Sequence, residues 1–288
     1  MRIYDRQTKK YEEIEQFGQG ALQFLYGRTA GRVLLKLAVS PFASNLYGWW
    51  NGRRASAKKI PAFVAKNGIR MEDFEDREYH SFNDFFTRKL RPGARRVETD
   101  PSALISPADA KLLAYPVDEE TRVFVKGRTY TLEELTGGRL ELSDYAGGTC
   151  LVYRLCMEDY HRYCFIDDGR MRKRWRIRGK LHTVSPLSKD YKIYKENSRV
   201  VNLMVTKSFG EMIQIEVGAL LVGRIKNRQV KRFKRGEEKG YFEPGGSTIL
   251  QIFRPGSIVL DDDILEQSKK QTETKVLFGE RVGEINAW

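Results

Sequence analysis

The run with the greatest chemical potential in this chain is Pro244-Gly245-Gly246-Ser247-Thr248, near the C-terminus. Two glycines carry no Cβ, so the Gly246 carbonyl stays open to attack and the backbone can enter a strained turn. Ser247 sets a hydroxyl beside that carbonyl, as an N→O acyl shift requires; the plainer alternative is a glycine turn leading into a strand. Titratable candidates are few. The histidines are His80, His161 and His182. Imidazole, with a pKa near ~6.5, suits a general base at neutral pH, whereas a thiol near ~8.5 is mostly protonated there. Cys150, Cys156 and Cys164 give no disulfide framework and no metal-knuckle spacing, so the expectation is a reducing, intracellular setting without a metal. Asp109, after Ser106-Pro107-Ala108, reads on its own as a turn residue.

Five blocks in order resemble the phosphatidylserine decarboxylase family. They are Ser81 to Pro92 (with Phe82-Asn83-Asp84-Phe85-Phe86-Thr87-Arg88-Lys89-Leu90), Ser106 to Asp109, Asp159-Tyr160-His161-Arg162, Glu216 to Ala219, and Gly246-Ser247-Thr248. The resemblance runs from about residue 80 to 270. It implies a proenzyme in which Ser247 attacks the Gly246 carbonyl, and the resulting ester is broken by β-elimination. Residues 1–246 become a β chain, and residues 247–288 an α chain headed by a pyruvoyl group made from Ser247. That group is the implied covalent cofactor, forming a Schiff base with the amine of phosphatidylserine and serving as electron sink for loss of CO₂. The implied product is phosphatidylethanolamine, and the two chains stay together as a heterodimer.

The resemblance also assigns roles. Asp109 matches the acid of the family's Asp-His-Ser triad. His161 matches the histidine of the decarboxylation step, with proton transfer to the substrate carbon as its expected task. His182 lies in a block that the family places near its substrate. Two positions depart from the pattern: Ala110 replaces the usual glycine, and Cys164 stands where the family has the triad base. Three readings stay open: His161 doubles as base, Cys164 is a weaker base, or maturation is slow or absent. We favour the first. If residues 161–164 form one strand, positions 161 and 164 face opposite sides; a turn lets both reach one site.

The elements that must position these residues read as an α+β chain, with an N-terminal helical region (1–92) followed by a mainly antiparallel β domain (93–288). Apolar residues at three- and four-residue steps from Leu22 to Ala38 predict a helix, with Arg28, Arg32 and Lys36 on its flank. Pro41 should end or kink it. Tyr47, Trp49 and Trp50 ahead of Arg53, Arg54, Lys58 and Lys59 suit an interfacial helix; a helix pair packed on the protein's own core is the alternative. Strands are expected at Arg122–Val125, Thr149–Leu155, Val200–Val205, Met212–Val217 and Thr248–Phe253.

Charge narrows the partners. The net charge is +13, and residues 247–288 hold 5 basic and 7 acidic residues against 46 and 31 in the rest. Such an excess favours a polyanion, either nucleic acid or anionic lipid. No nucleic-acid-binding motif is present, so an anionic membrane surface is the expected partner. With an acidic residue early and no apolar core, the N-terminus is not expected to be a secretory leader, and no stretch is expected to span a bilayer. The expected location is the cytoplasmic side of the cell membrane, as a peripheral protein. The alternative function is a homologue that binds anionic lipid without maturing, because of Cys164.

Overall fold

A computed structural model of the chain describes residues 2–13, 41–125, 128–179, 193–218, 224–245 and 247–286. The expected helix over 22–38, His182 and Gly246 lie outside the described residues. The chain begins with β1 (Arg2–Asp5) and β2 (Lys10–Glu13), then α1 (Pro41–Asn51), α2 (Ile60–Asn67) and α3 (Phe82–Phe86). Next come β3 (Ala103–Ile105), β4 (Ala110–Pro116), β5 (Arg122–Val125), β6 (Arg128–Thr131), α4 (Leu132–Thr136), β7 (Thr149–Leu155) and β8 (Arg162–Cys164). There follow β9 (Gly169–Ile177), α5 (Ile193–Glu196), β10 (Arg199–Thr206), β11 (Glu211–Gly218), β12 (Ile225–Asn227) and β13 (Arg232–Phe233). The last are β14 (Glu238–Phe242), β15 (Ser247–Phe253), β16 (Ile258–Leu260), α6 (Asp262–Lys269), β17 (Glu273–Val276) and β18 (Arg281–Ile285).

Ten strands form the main sheet in the order β13-β9-β10-β11-β15-β7-β4-β17-β1-β2, and β12-β14-β8 form a smaller one. Except for the parallel pair β1–β17, the strand pairs among the described residues are antiparallel. The architecture is α+β with a β-rich body, as expected. Position in the sheet explains composition. Central β15 is buried at all seven positions, which a strand covered on both faces requires. Near the edge, β9 is half exposed and strongly basic. All five expected strands are present, with ends within one residue.

The helical region has its own aromatic core. Phe63, Phe82, Phe85 and Phe86 pack together, with Ile60, Val64, Ile69 and Met71 against them. Ser81 caps α3 by accepting the Asp84 amide at 3.2 Å. Pro41 is the first described residue of α1, so the end or kink expected at this proline falls at the boundary of the described residues. The hairpin β1–β2 was not anticipated; it depends on Glu273–Val276 at the far end of the chain.

Candidate active site

Ser247 is the first residue of β15, held between Gly218 on β11 and Leu155 on β7. It is fully buried, and its Oγ has no hydrogen-bond partner among the described residues. An unmet buried hydroxyl costs about 1–3 kcal/mol, which marks a functional candidate. Just upstream, Gly245 has φ +137°, a region open to glycine.

The smaller sheet gathers the other blocks. Arg162 pairs with Tyr241, Tyr163 with Gly240 and Cys164 with Glu238, so β8 lies beside the strand that leads to Ser247. A Cβ at Gly240 would stand 2.2 Å from the Lys226 carbonyl oxygen, so only glycine permits this pairing. The Cys164 amide donates to the Pro107 carbonyl at 2.9 Å, and the Phe242 amide to the His161 carbonyl at 3.0 Å. Three segments far apart in sequence thus meet at Ser106–Asp109, Asp159–Cys164 and Glu238–Phe242.

His161 lies just before β8 and is fully buried. Its Nδ1 is 2.8 Å from the Asp159 carbonyl oxygen, while Nε2 has no partner among the described residues. The Phe86 ring packs on the imidazole at a centroid distance of 4.0 Å. Burial, with the nearby Arg88 and Lys111 charges adding, pushes its pKa down to about 3 against the opposing Asp159 carbonyl bond. The imidazole is therefore neutral at pH 7, with its lone pair on Nε2. Burial pushes the Cys164 thiol up to about 12, so it carries almost no thiolate at neutral pH.

Asp109 is buried, and among the described residues its partners are a guanidinium and a backbone amide. Arg95 Nη2 and Nε donate to its two oxygens at 2.8 and 3.2 Å, and the Phe278 amide donates at 2.7 Å. Arg95 also holds Asp73 at 2.9 Å. His80 is exposed.

Several contributors escaped sequence reading. Lys111 Nζ lies 2.7 Å from each Asp159 carboxylate oxygen and 3.3 Å from Glu158. The Cys156 amide donates to Asp159 at 2.7 Å, and Arg154 Nη1 donates to Cys156 Sγ at 2.7 Å. Cys156, Glu158 and Asp159 could otherwise form a metal ligand set; here Lys111 and Arg154 meet those atoms. Arg88 lies under Phe74 and Phe85 and donates to the Glu158 carbonyl at 3.1 Å. Arg162 donates to the Thr87 carbonyl at 2.8 Å. The Phe82–Leu90 block is thereby fixed to the His161 segment. A cleft of about 760 Å³ opens beside these groups, lined on one side by Arg88, Arg95, Asp109, Lys111, Asp159 and Tyr160.

Comparison with known proteins identifies the family. The family described as "Phosphatidylserine decarboxylase" matches residues 82–284. "Phosphatidylserine decarboxylase proenzyme 2" of Clostridium acetobutylicum is 48% identical over 99% of this chain and 98% of that protein. The proenzyme of Desulfitobacterium hafniense is 42% identical over 98% of each chain, and that of Ruminiclostridium cellulolyticum 40% over 98% and 97%. The chain belongs to the phosphatidylserine decarboxylase family.

Proposed function

We propose that this chain is a proenzyme that cleaves itself between Gly246 and Ser247 and then converts phosphatidylserine to phosphatidylethanolamine at a membrane surface. The observation carrying this reading is the buried, unpartnered Ser247 hydroxyl at the start of β15, directly after two glycines. Ser247 Oγ attacks the Gly246 carbonyl carbon, and the acyl group moves from nitrogen to oxygen. Loss of the Cα proton then expels Gly246 as a carboxylate. The remaining dehydroalanine takes up water and releases ammonia, leaving a pyruvoyl group at position 247. β11 and β7 hold residue 247 in the sheet on both sides, which would fix the orientation of that group.

His161 is the base we favour for the serine proton, because its neutral Nε2 is free while the Cys164 thiol is held protonated. Once formed, the pyruvoyl ketone supplies an electron sink for departure of CO₂. His161 Nε2 would relay the proton that returns to the substrate carbon rather than store it, since the buried imidazole is neutral at pH 7. Residues 1–246 and 247–288 would stay together, because β15 lies between β11 and β7 in one sheet.

Exposed Leu46, Trp49 and Trp50 on α1 support attachment at the membrane interface, with Arg53 stacked 3.7 Å over Trp49. No helix among the described residues is long and apolar enough to cross a membrane. The proposed location is peripheral, on the cytoplasmic face.

Intact mass and a denaturing gel test the reading. Two fragments split before Ser247, the smaller with a pyruvoyl terminus, are expected together with CO₂ release from phosphatidylserine. A single intact, inactive chain would overturn it. That outcome would favour a second reading, a lipid-binding homologue that does not mature. Two features favour that second reading: burial keeps the Cys164 thiol protonated at neutral pH, and Asp109 is engaged by Arg95.

A further inference from the structure

The chain's excess charge is concentrated at one edge of the structure. Residues 169–178 contain six Lys+Arg and no Asp or Glu, and residues 224–235 contain seven and none. These thirteen equal the whole net charge of +13; the remaining 38 basic residues match the 38 acidic ones. The first segment is β9, next to the end of the main sheet, and the second runs through β12 and β13. The two are joined: Arg232 pairs with Arg170 in the ladder, and Arg174 and Arg176 donate to the Arg228 and Ile225 carbonyls.

Folding normally avoids such crowding of like charge, and little here relieves it. Among the described residues, only Arg172, Arg224 and Arg228 of the thirteen have a carboxylate within 4 Å. Lys173, Lys226, Lys231 and Lys234 are exposed. Arg224, at one end of the band, meets the strand leading to Ser247: its carbonyl accepts the Glu243 amide at 3.1 Å. The band therefore begins beside the candidate active site and runs outward along the sheet edge.

We propose that this edge is a second docking surface, separate from the aromatic α1, and that its partner is a bilayer rich in anionic lipid. The inference rests on the decarboxylase reading for its choice of partner. A phosphatidylserine headgroup carries a net charge of −1, whereas phosphatidylethanolamine is neutral overall. A surface of this sign gathers substrate lipid and loses its hold as turnover neutralises the bilayer. Each basic group near an anionic surface adds on the order of 1 kcal/mol of attraction, so thirteen can dominate attachment at modest salt.

The test is vesicle co-sedimentation of the full chain with phosphatidylcholine vesicles containing phosphatidylserine, phosphatidylethanolamine or neither. The triple variant K226E/K231E/K234E reverses three exposed charges with no side-chain hydrogen bond or ion pair among the described residues. Its far-ultraviolet spectrum and melting temperature should match the parent's. Parent binding should require phosphatidylserine and fall with salt, and the triple variant should bind at least about tenfold more weakly. R54E/K58E, on the helical region, serves as the comparison. Equal binding by the triple variant and parent overturns the proposal. So does equal parental binding to neutral vesicles, or preference for duplex DNA at matched salt. Activity on monomerically dispersed short-chain phosphatidylserine is read in parallel. Loss of that activity in the parent defeats the decarboxylase reading, whereas vesicle binding alone decides the docking surface.

Discussion

The Asp159 carbonyl oxygen lies 2.8 Å from His161 Nδ1, and this contact sets the tautomer of the imidazole. A carbonyl can only accept, so Nδ1 carries the hydrogen and Nε2 presents a lone pair. Lys111 and the Cys156 amide then hold the Asp159 carboxylate, each at 2.7 Å. The peptide that orients His161 is thus anchored to β4 and to the end of β7.

Replacing the two candidate bases should separate them. His161→Ala should slow cleavage of freshly synthesised chain at least about a hundredfold, the usual scale for losing a general base. Cys164→Ala should cleave within a few-fold of the parent, because a thiol pushed up to about 12 is protonated at pH 7–8. A gel time course reads both. Arrest by Cys164→Ala in a folded chain would make the thiol the base instead.

Lys111→Met should leave Asp159 and Glu158 without their shared cation. Breaking a buried pair by removing one partner costs about 3–5 kcal/mol, to be read as a lower urea midpoint. Asp159→Asn keeps the backbone carbonyl that fixes His161. It should therefore retain cleavage better than its loss of stability suggests. Equal loss of cleavage in Asp159→Asn and His161→Ala would argue that the carboxylate itself takes part.

Much of this scaffold could be read from the sequence, for a local reason. Strands such as Thr149–Leu155, which starts after Gly147-Gly148, and Thr248–Phe253, which stops just before Pro255-Gly256, are rich in β-branched and aromatic residues, so part of their extent is written in adjacent residues. The serine and its glycines were equally visible. Partnerships were not. Arg95 reaches Asp109 across 14 positions, and Arg154 reaches Glu273 across 119. No spacing rule encodes either. The choice between His161 and Cys164 was framed by strand alternation, yet β8 begins at Arg162, so His161 stands off its end and its ring follows the Asp159 turn. The N-terminal hairpin was hidden similarly, since Ile3 needs Glu273 beside it.

A second buried pair gives a prediction about stability alone. Lys239 Nζ is 2.6 Å from Glu216 Oε1 and 3.0 Å from Asn227 Oδ1, with both charged side chains fully buried. Asn202 and Gln214 donate to the same carboxylate at 2.8 Å each. Lys239→Met should cost about 3–5 kcal/mol, because Glu216 is left charged in the core. The double variant K239M/E216L should recover part of that loss. Chemical denaturation of the three variants checks it, and additive losses would show that the two charges are not coupled.

The last prediction concerns acid. His161 has its folded pKa lowered to about 3 by burial, against an ordinary value of 6.5 in the unfolded chain. Between those values the unfolded chain binds a proton that the folded protein refuses, so stability falls as pH drops from 6.5 toward 3. Asp159 acts oppositely. Burial raises its pKa to about 6, so between 3.8 and 6 the folded state holds the extra proton and gains stability as pH falls. The two effects partly cancel in the parent below pH 6. His161→Gln removes only the destabilising one. From pH 6.5 to 4.5 the parent should therefore lose roughly 2–3 kcal/mol more than His161→Gln, the value of two pKa units. Urea midpoints at four or five pH values measure it. Parallel curves for the two proteins would mean that His161 titrates normally in the folded state and is reached by solvent.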